Sequence, residues 1–122
     1  MIKGLGVDLC SSSRMKSKIR NSHFVKKVFT PEEINYSKSG KYPEKHFASS
    51  FAAREAFAKA SGLGLFQVVF HGVWLDRTNP VPVLGISQKI IETIAPDGNL
   101  KTWVSISHEY DLTVAVVILE VS

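Results

Sequence analysis

The stretch Glu44–Ser61 constrains this chain more than any other. It is rich in alanine, the best helix former, and closes on Gly62, a natural residue for a left-handed helix end. At about 100° per residue, Phe47, Ala48, Phe51, Ala52, Glu55, Ala58 and Lys59 fall within one arc about 140° wide. Most of that arc is apolar and is expected to face the core. Glu55 lies inside it. A buried carboxylate is costly unless a cation or hydrogen-bond donors meet it. Lys59 follows Glu55 by four residues and can pair with it across one helical turn. Two readings stay open for Glu55 at this level: half of a salt bridge at a helix edge, or part of a site.

The other elements follow from local signals. Ile2–Leu9 alternates loosely, with glycines at 4 and 6, and reads as a buried strand ending near Asp8. Ser11–Ser13 offer N-cap oxygens to a helix through the basic stretch that follows. Thr30-Pro31-Glu32-Glu33 has the form of a capping box with proline in the first turn, and its helix should end at Gly40. Gly72–Leu75 and Val81–Val83 predict two short strands around a turn over Asp76–Pro80. A helix is expected over Ser87–Ala95. Thr102–Ser107 and Leu112–Val121 predict an antiparallel hairpin with His108 at its tight end. Helices and strands come mixed, so the expected class is α+β: one small domain over 1–122, an antiparallel sheet against a long helix.

The sole cysteine, Cys10, excludes an internal disulfide framework, and no zinc-ligand spacing exists. The apolar run Val114–Leu119 is far too short to span a bilayer. The chain begins at once with a strand-like pattern, so no signal peptide is expected and the cytoplasm is the default location. The net charge of +4 is unevenly placed. Between Asp8 and Glu32 there is no acid, while Arg14, Lys16, Lys18, Arg20, Lys26 and Lys27 accumulate. That stretch is either a solvated helix face or a surface that concentrates an anionic partner.

Three residues invite chemistry. Asp8 ends a glycine-interrupted strand, and two carboxylates from different elements, Asp8 and Glu55, suit a hard oxygen-ligand site such as Mg²⁺. Asp8 alone could equally cap a turn. His108 is either solvated at a turn or a donor to a phosphate. No Ser-His-Asp or Cys-His arrangement is evident.

The order of these signals is more specific than any of them singly. Gly4-Leu5-Gly6-Val7-Asp8-Leu9, then Phe29-Thr30-Pro31-Glu32-Glu33, then Phe51-Ala52-Ala53-Arg54-Glu55-Ala56-Phe57-Ala58-Lys59-Ala60, then Val104-Ser105-Ile106-Ser107-His108 resemble the ordered motifs of the short, single-domain 4′-phosphopantetheinyl transferases, the holo-(acyl-carrier-protein) synthases. The resemblance covers nearly the whole chain. It implies that the 4′-phosphopantetheine arm of coenzyme A is moved to a serine of an apo-acyl carrier protein, with release of 3′,5′-ADP, in support of fatty acid biosynthesis. It implies Mg²⁺ held by Asp8 and Glu55, and coenzyme A phosphates contacted by Lys59 and His108. Arg54 stands where relatives carry a lysine, and is assigned with them to the coenzyme A contacts. Arg14 would belong to the carrier-docking surface. The resemblance further implies a homotrimer with active sites between protomers. The proton acceptor stays open among Asp8, Glu55 and a water.

The sequence departs from that pattern in places. Ser11 stands where many relatives carry an acid, Ser50 where they carry arginine, Glu109 where they carry serine or threonine, and Asn79-Pro80-Val81-Pro82 replaces a Gly-Lys-Pro turn. A non-catalytic module that binds carrier protein or coenzyme A is the rival reading, though both acids are present. A nucleic-acid-binding domain is disfavoured, because no aromatic RNA-binding motif, Gly-x-x-Gly loop or zinc knuckle accompanies the basic run.

Overall fold

Helix α4, Pro43–Ser61, runs through the middle of the molecule, and the other elements pack around it. The computed structural model describes residues 1–122, the side chain of His71 excepted. In chain order the elements are β1 (Ile2–Ser11), α1 (Ser12–Lys18), α2 (Ser22–Val28), α3 (Pro31–Ser39), α4, α5 (Leu65–His71), β2 (Val73–Asp76), β3 (Val83–Ile86), α6 (Gln88–Ile94), β4 (Leu100–Glu109) and β5 (Leu112–Val121). One antiparallel sheet has the order β1-β5-β4, and β2 and β3 form a separate antiparallel pair. This is the expected α+β arrangement.

The expected caps form. Thr30 Oγ1 accepts from the Glu33 amide at 3.1 Å, while Glu33 Oε1 accepts from the Thr30 amide at 2.9 Å. Gly62 ends α4 at φ 76°, and its amide donates to Ala58 O. Such a backbone conformation is strained for any residue with a Cβ.

The burial of α4 narrows one expectation. From Phe47 to Ala60 its surface is covered on all sides but one. Ser49, Ala53, Ala56, Phe57 and Ala60 are buried along with Phe47, Ala48 and Ala52. Between Phe47 and Ala60 only Phe51, Glu55, Ala58 and Lys59 stay open or half-open. At about 100° per residue these four share a slot roughly 100° wide. The expected arc therefore faces the core at Phe47, Ala48 and Ala52 and opens only around Glu55.

Strand β1 is also one-sided rather than buried. Its inner face is Gly4, Gly6 and Asp8, pressed on α4. A Cβ on Gly6 would lie 1.9 Å from Ala56 O, and one on Gly4 1.8 Å from Ala60 O. Only a bare backbone can approach this closely, and this contact brings Asp8 against the open slot of α4. The outer face, with Leu5, Val7 and Leu9, is more than half exposed.

Two further expectations change. The basic stretch forms two short helices rather than one, because Asn21 starts a second helix by accepting from the amides of His23 and Phe24. Helix α5 arises where no local helix signal stands, since Leu65-Phe66-Gln67-Val68-Val69-Phe70 is rich in β-branched and aromatic residues. Val68 and Val69 are buried there, so tertiary packing outweighs propensity.

Candidate active site

Asp8, Glu55 and Lys59 come together where β1 crosses the open slot of α4. Lys59 Nζ donates to Val7 O at 3.0 Å and to Asp8 Oδ1 at 3.1 Å. The Lys59 side chain is still 59% exposed, so its one remaining N–H faces solvent. The expected pairing of Lys59 with Glu55 is replaced by this one. Gly6 draws the strand so close that Asp8 meets the ammonium first.

The two acids face each other. Burial first, then the hydrogen-bonding reach and the charge of Asp8, push the Glu55 carboxyl up to about 7. Lys18 and Lys59 act in the opposite direction on Glu55. When both carboxyls are ionised, neither has a proton to share, and Asp8 Oδ2 is buried without a donor. Of the two acids Lys59 thus bonds Asp8 alone, Glu55 has only the more distant charges of Lys18 and Lys59, and one Asp8 oxygen is orphaned. That donor set suits a hard divalent cation, which takes one or two protein carboxylates and fills its other positions with water and phosphate oxygens. Among the described residues no third acid, histidine or cysteine joins the group.

Lys18 was not singled out by the sequence. It lies on α1 with its ammonium 5.2 Å from the centre of the Phe51 ring, and its charge reaches both Glu55 and Cys10. The only sequence signal for it was membership of the basic run. Cys10 is inert here: burial, then the nearby Glu55 charge, push its thiol up to about 11. Arg14 is exposed on α1 beside the site, as are Lys16 and Lys18, and Arg20 is exposed in the turn that follows.

His108 belongs to a second group within the chain. It lies in β4, before the turn, and Tyr110 rather than His108 takes the left-handed turn position at φ 54°. Ser49 Oγ donates to Lys45 O at 2.9 Å, so it can only accept from His108 Nε2–H at 3.3 Å. His108 Nδ1 then accepts from the Thr113 hydroxyl at 2.8 Å. Burial, followed by the charges of Lys45 and Arg77, holds this imidazole below its usual range and keeps it neutral.

Arg54 requires a correction. It turns away from the slot into the core, where its side chain is 1% exposed. Arg54 Nη1 donates to Glu33 Oε2 at 2.8 Å, and Nη2 donates to Glu33 Oε1. The guanidinium also stacks over Phe29. No phosphate can reach it. The position one residue before Glu55 is rotated by about 100°, which sends Arg54 to α3 and β2 instead of to solvent. Ser50 is likewise fully buried, and its Oγ has no partner.

Residues 4–115 match the 4′-phosphopantetheinyl transferase superfamily. The chain is 36% identical to the holo-(acyl-carrier-protein) synthase of Geotalea daltonii over 98% of its own length and 99% of that protein's. It is also 36% identical to the synthase of Clostridium acetobutylicum, over 99% of each chain. The crystal structure of the Neisseria meningitidis synthase superposes with a TM-score of 0.83 at 30% identity, covering 98% of this chain and 99% of that one. The Bacillus anthracis synthase, solved in complex with coenzyme A (3′,5′-ADP), superposes at 0.77 with 29% identity, covering 100% and 99%. Sequence, fold and the order of the motifs agree: the chain belongs to the 4′-phosphopantetheinyl transferase superfamily.

Proposed function

We propose that this transferase moves 4′-phosphopantetheine from coenzyme A to a serine of an apo-acyl carrier protein, releasing 3′,5′-ADP and supporting fatty acid biosynthesis in the cytoplasm. One observation carries the site assignment: Asp8 and Glu55 meet from separate elements, Lys59 bonds only Asp8 of the two, and Asp8 Oδ2 is left buried without a donor. In this reading Asp8 and Glu55 hold Mg²⁺, which when bound neutralises the pyrophosphate of coenzyme A. Transfer of a phosphoryl group depends mainly on positioning and charge neutralisation, so the lack of a nucleophilic triad fits.

Lys59 has a defined role in that scheme. Its two hydrogen bonds, to Val7 O and Asp8 Oδ1, fix the ammonium and leave one donor for an anionic phosphate. The exposed basic face of α1, led by Arg14, supports docking of an acidic carrier beside the site. The outer face of β1, with Ile2, Leu5, Val7 and Leu9 between 51% and 65% exposed, supports burial against further copies of the chain, as a homotrimer would provide. A single transferase domain over 1–122 accounts for all of these elements. No helix among the described residues is long and apolar enough to cross a membrane.

The test is direct. The protein is incubated with coenzyme A, Mg²⁺ and apo-acyl carrier protein, and the carrier is weighed by mass spectrometry. A carrier heavier by one phosphopantetheine is the expected result. No gain with several apo-carriers, beside an active control enzyme, would refute the reading.

A further inference from the structure

The turn between β4 and β5 is tighter and better connected than a hairpin requires. Glu109 pairs with Leu112, so Tyr110 and Asp111 alone make the turn. Tyr110 takes φ 54°, a backbone conformation that glycine or asparagine holds at lower cost. Its side chain is 89% exposed, so packing does not offset the strain. The offset lies in the next residue. Asp111 Oδ2 accepts from Ser11 Oγ at 2.6 Å and from Ser13 Oγ at 2.8 Å, and Oδ1 accepts from the Ser13 amide at 2.8 Å. The carbonyl oxygen of Asp111 accepts from the Ser12 amide at 2.7 Å. These bonds join the turn to three consecutive residues at the start of α1, 98 to 100 residues earlier in the chain. The Ser11 hydroxyl, then the Ser13 hydroxyl and amide, hold the Asp111 carboxyl below its usual range.

Helix α1 has no acid in its first turn, and none stands anywhere between Asp8 and Glu32. A helix start favours negative charge, and its first amides need acceptors. Asp111 supplies both from outside the helix. Ser11 relays the arrangement: its hydroxyl donates to Asp111, and the same oxygen accepts from the Arg14 amide at 3.3 Å. With only seven residues, α1 is too short to keep its shape from its own hydrogen bonds. Because the acid comes from another element, the exposed positions of α1 are free to be basic, as Arg14, Lys16 and Lys18 are. The serine at position 11 then has a reason. A carboxylate there, as in many relatives, would stand against Asp111, whereas serine donates to it.

We propose that Asp111 is a positioning residue for carrier recognition: from the β4–β5 turn it anchors the start of α1, with Ser11 as its matched partner, and so fixes Arg14 and the basic face that meets the acidic carrier. The proposal rests on the transferase reading above and on the docking role given there to α1. It concerns the carrier and not coenzyme A, because Asp8 is held separately, by Lys59 and by the close contact of β1 with α4. A docking face that is already ordered loses less freedom when the partner binds.

Steady-state kinetics with carrier and coenzyme A varied separately test this, with the melting temperature of each variant measured alongside. Asp111→Ala should raise KM for the carrier about fivefold or more and leave kcat and KM for coenzyme A within about twofold. Asp111→Asn, which still accepts from the Ser13 amide, should keep part of the wild-type carrier KM. Ser11→Asp sets two carboxylates together and should raise the carrier KM as well. Adding Asp111→Ser to it exchanges donor and acceptor and should bring that KM back towards wild type. An unchanged carrier KM in folded Asp111→Ala overturns the proposal, and so does an equal rise in both KM values, which is what a general loosening of the fold would give. If Asp111→Ala does not fold, the exchange decides: a wild-type carrier KM in Ser11→Asp, or no recovery on adding Asp111→Ser, overturns the proposal. No transfer by the wild-type protein sinks the functional reading, whereas transfer with a carrier KM indifferent to Asp111 sinks only the role of that residue.

Discussion

Arg54 and Glu55 are neighbours on one helix, both charged, and they meet opposite fates. Arg54 points into the core and finds Glu33, whose two oxygens together accept from Arg54, the Thr30 amide and the Leu75 amide. Glu55 points into the open slot of α4 and finds another acid. The first arrangement satisfies both carboxylate oxygens of Glu33, leaving only Arg54 Nε without a partner, and binds α3, α4 and β2 together. The second gives Asp8 one lysine and Glu55 no bonded cation, and that deficit is what a metal and a phosphate can fill. Buried charge by itself therefore does not mark a site. Charge whose partners the fold withholds does.

Removing each charge in turn should separate the two fates. Glu55→Gln keeps shape and removes the charge. It should lower kcat/KM for carrier modification by about 10³-fold, or ~4 kcal/mol, with a melting temperature within a few degrees of wild type. Glu33→Gln should do the reverse. Leaving Arg54 buried without a counter-charge costs about 3–5 kcal/mol in denaturant unfolding, with kcat of the folded fraction little changed. A stable, inactive Glu33→Gln protein would break the comparison.

Acid should act on the same pair. Burial alone would raise the Glu33 carboxyl, but the Arg54 hydrogen bonds and charge, with the Thr30 and Leu75 amides, hold it below its ordinary range. A group depressed on folding stabilises the protein above its unfolded pKa of about 4.3 and loses that contribution as pH falls through the lower folded value. Melting temperatures across pH 3–6 should drop below about pH 4.3 in wild type and drop less in Glu33→Gln. The smallest effect is expected at the surface. Raising salt to 0.5 M, where the Debye length is about 4 Å, should raise KM for the carrier several-fold and that for coenzyme A less. Arg14→Ala should reproduce part of that loss at low salt.

Much of this was readable beforehand where the signal is local. The Thr30–Glu33 box, the Gly62 stop and the partnership of Asp8 with Glu55 depend on a few neighbouring residues or on the ordered motifs. What escaped depends on contacts distant in sequence. Helix α5 exists because Val68 and Val69 have a core to enter, which propensity cannot report. The direction of Arg54 is set by Glu33, twenty-one residues earlier, and by the amide of Leu75 beyond it. The partner of Lys59 is set by two glycines that let β1 sit on α4, so Asp8 takes the place that helical spacing offered to Glu55. Periodicity placed Glu55 on an arc that does face the core at Phe47, Ala48 and Ala52, but it could not show that the packing opens around Glu55, where β1 crosses.

The central claim is that Asp8 and Glu55 are short of a divalent cation. Mn²⁺, a paramagnetic stand-in for Mg²⁺, reports binding through the loss of its free electron-spin signal, measured with coenzyme A present for wild type and Asp8→Asn. The account predicts that wild type takes up Mn²⁺ and that Asp8→Asn, equally folded, takes up at least tenfold less at the same concentration. Equal uptake by the two proteins would contradict it.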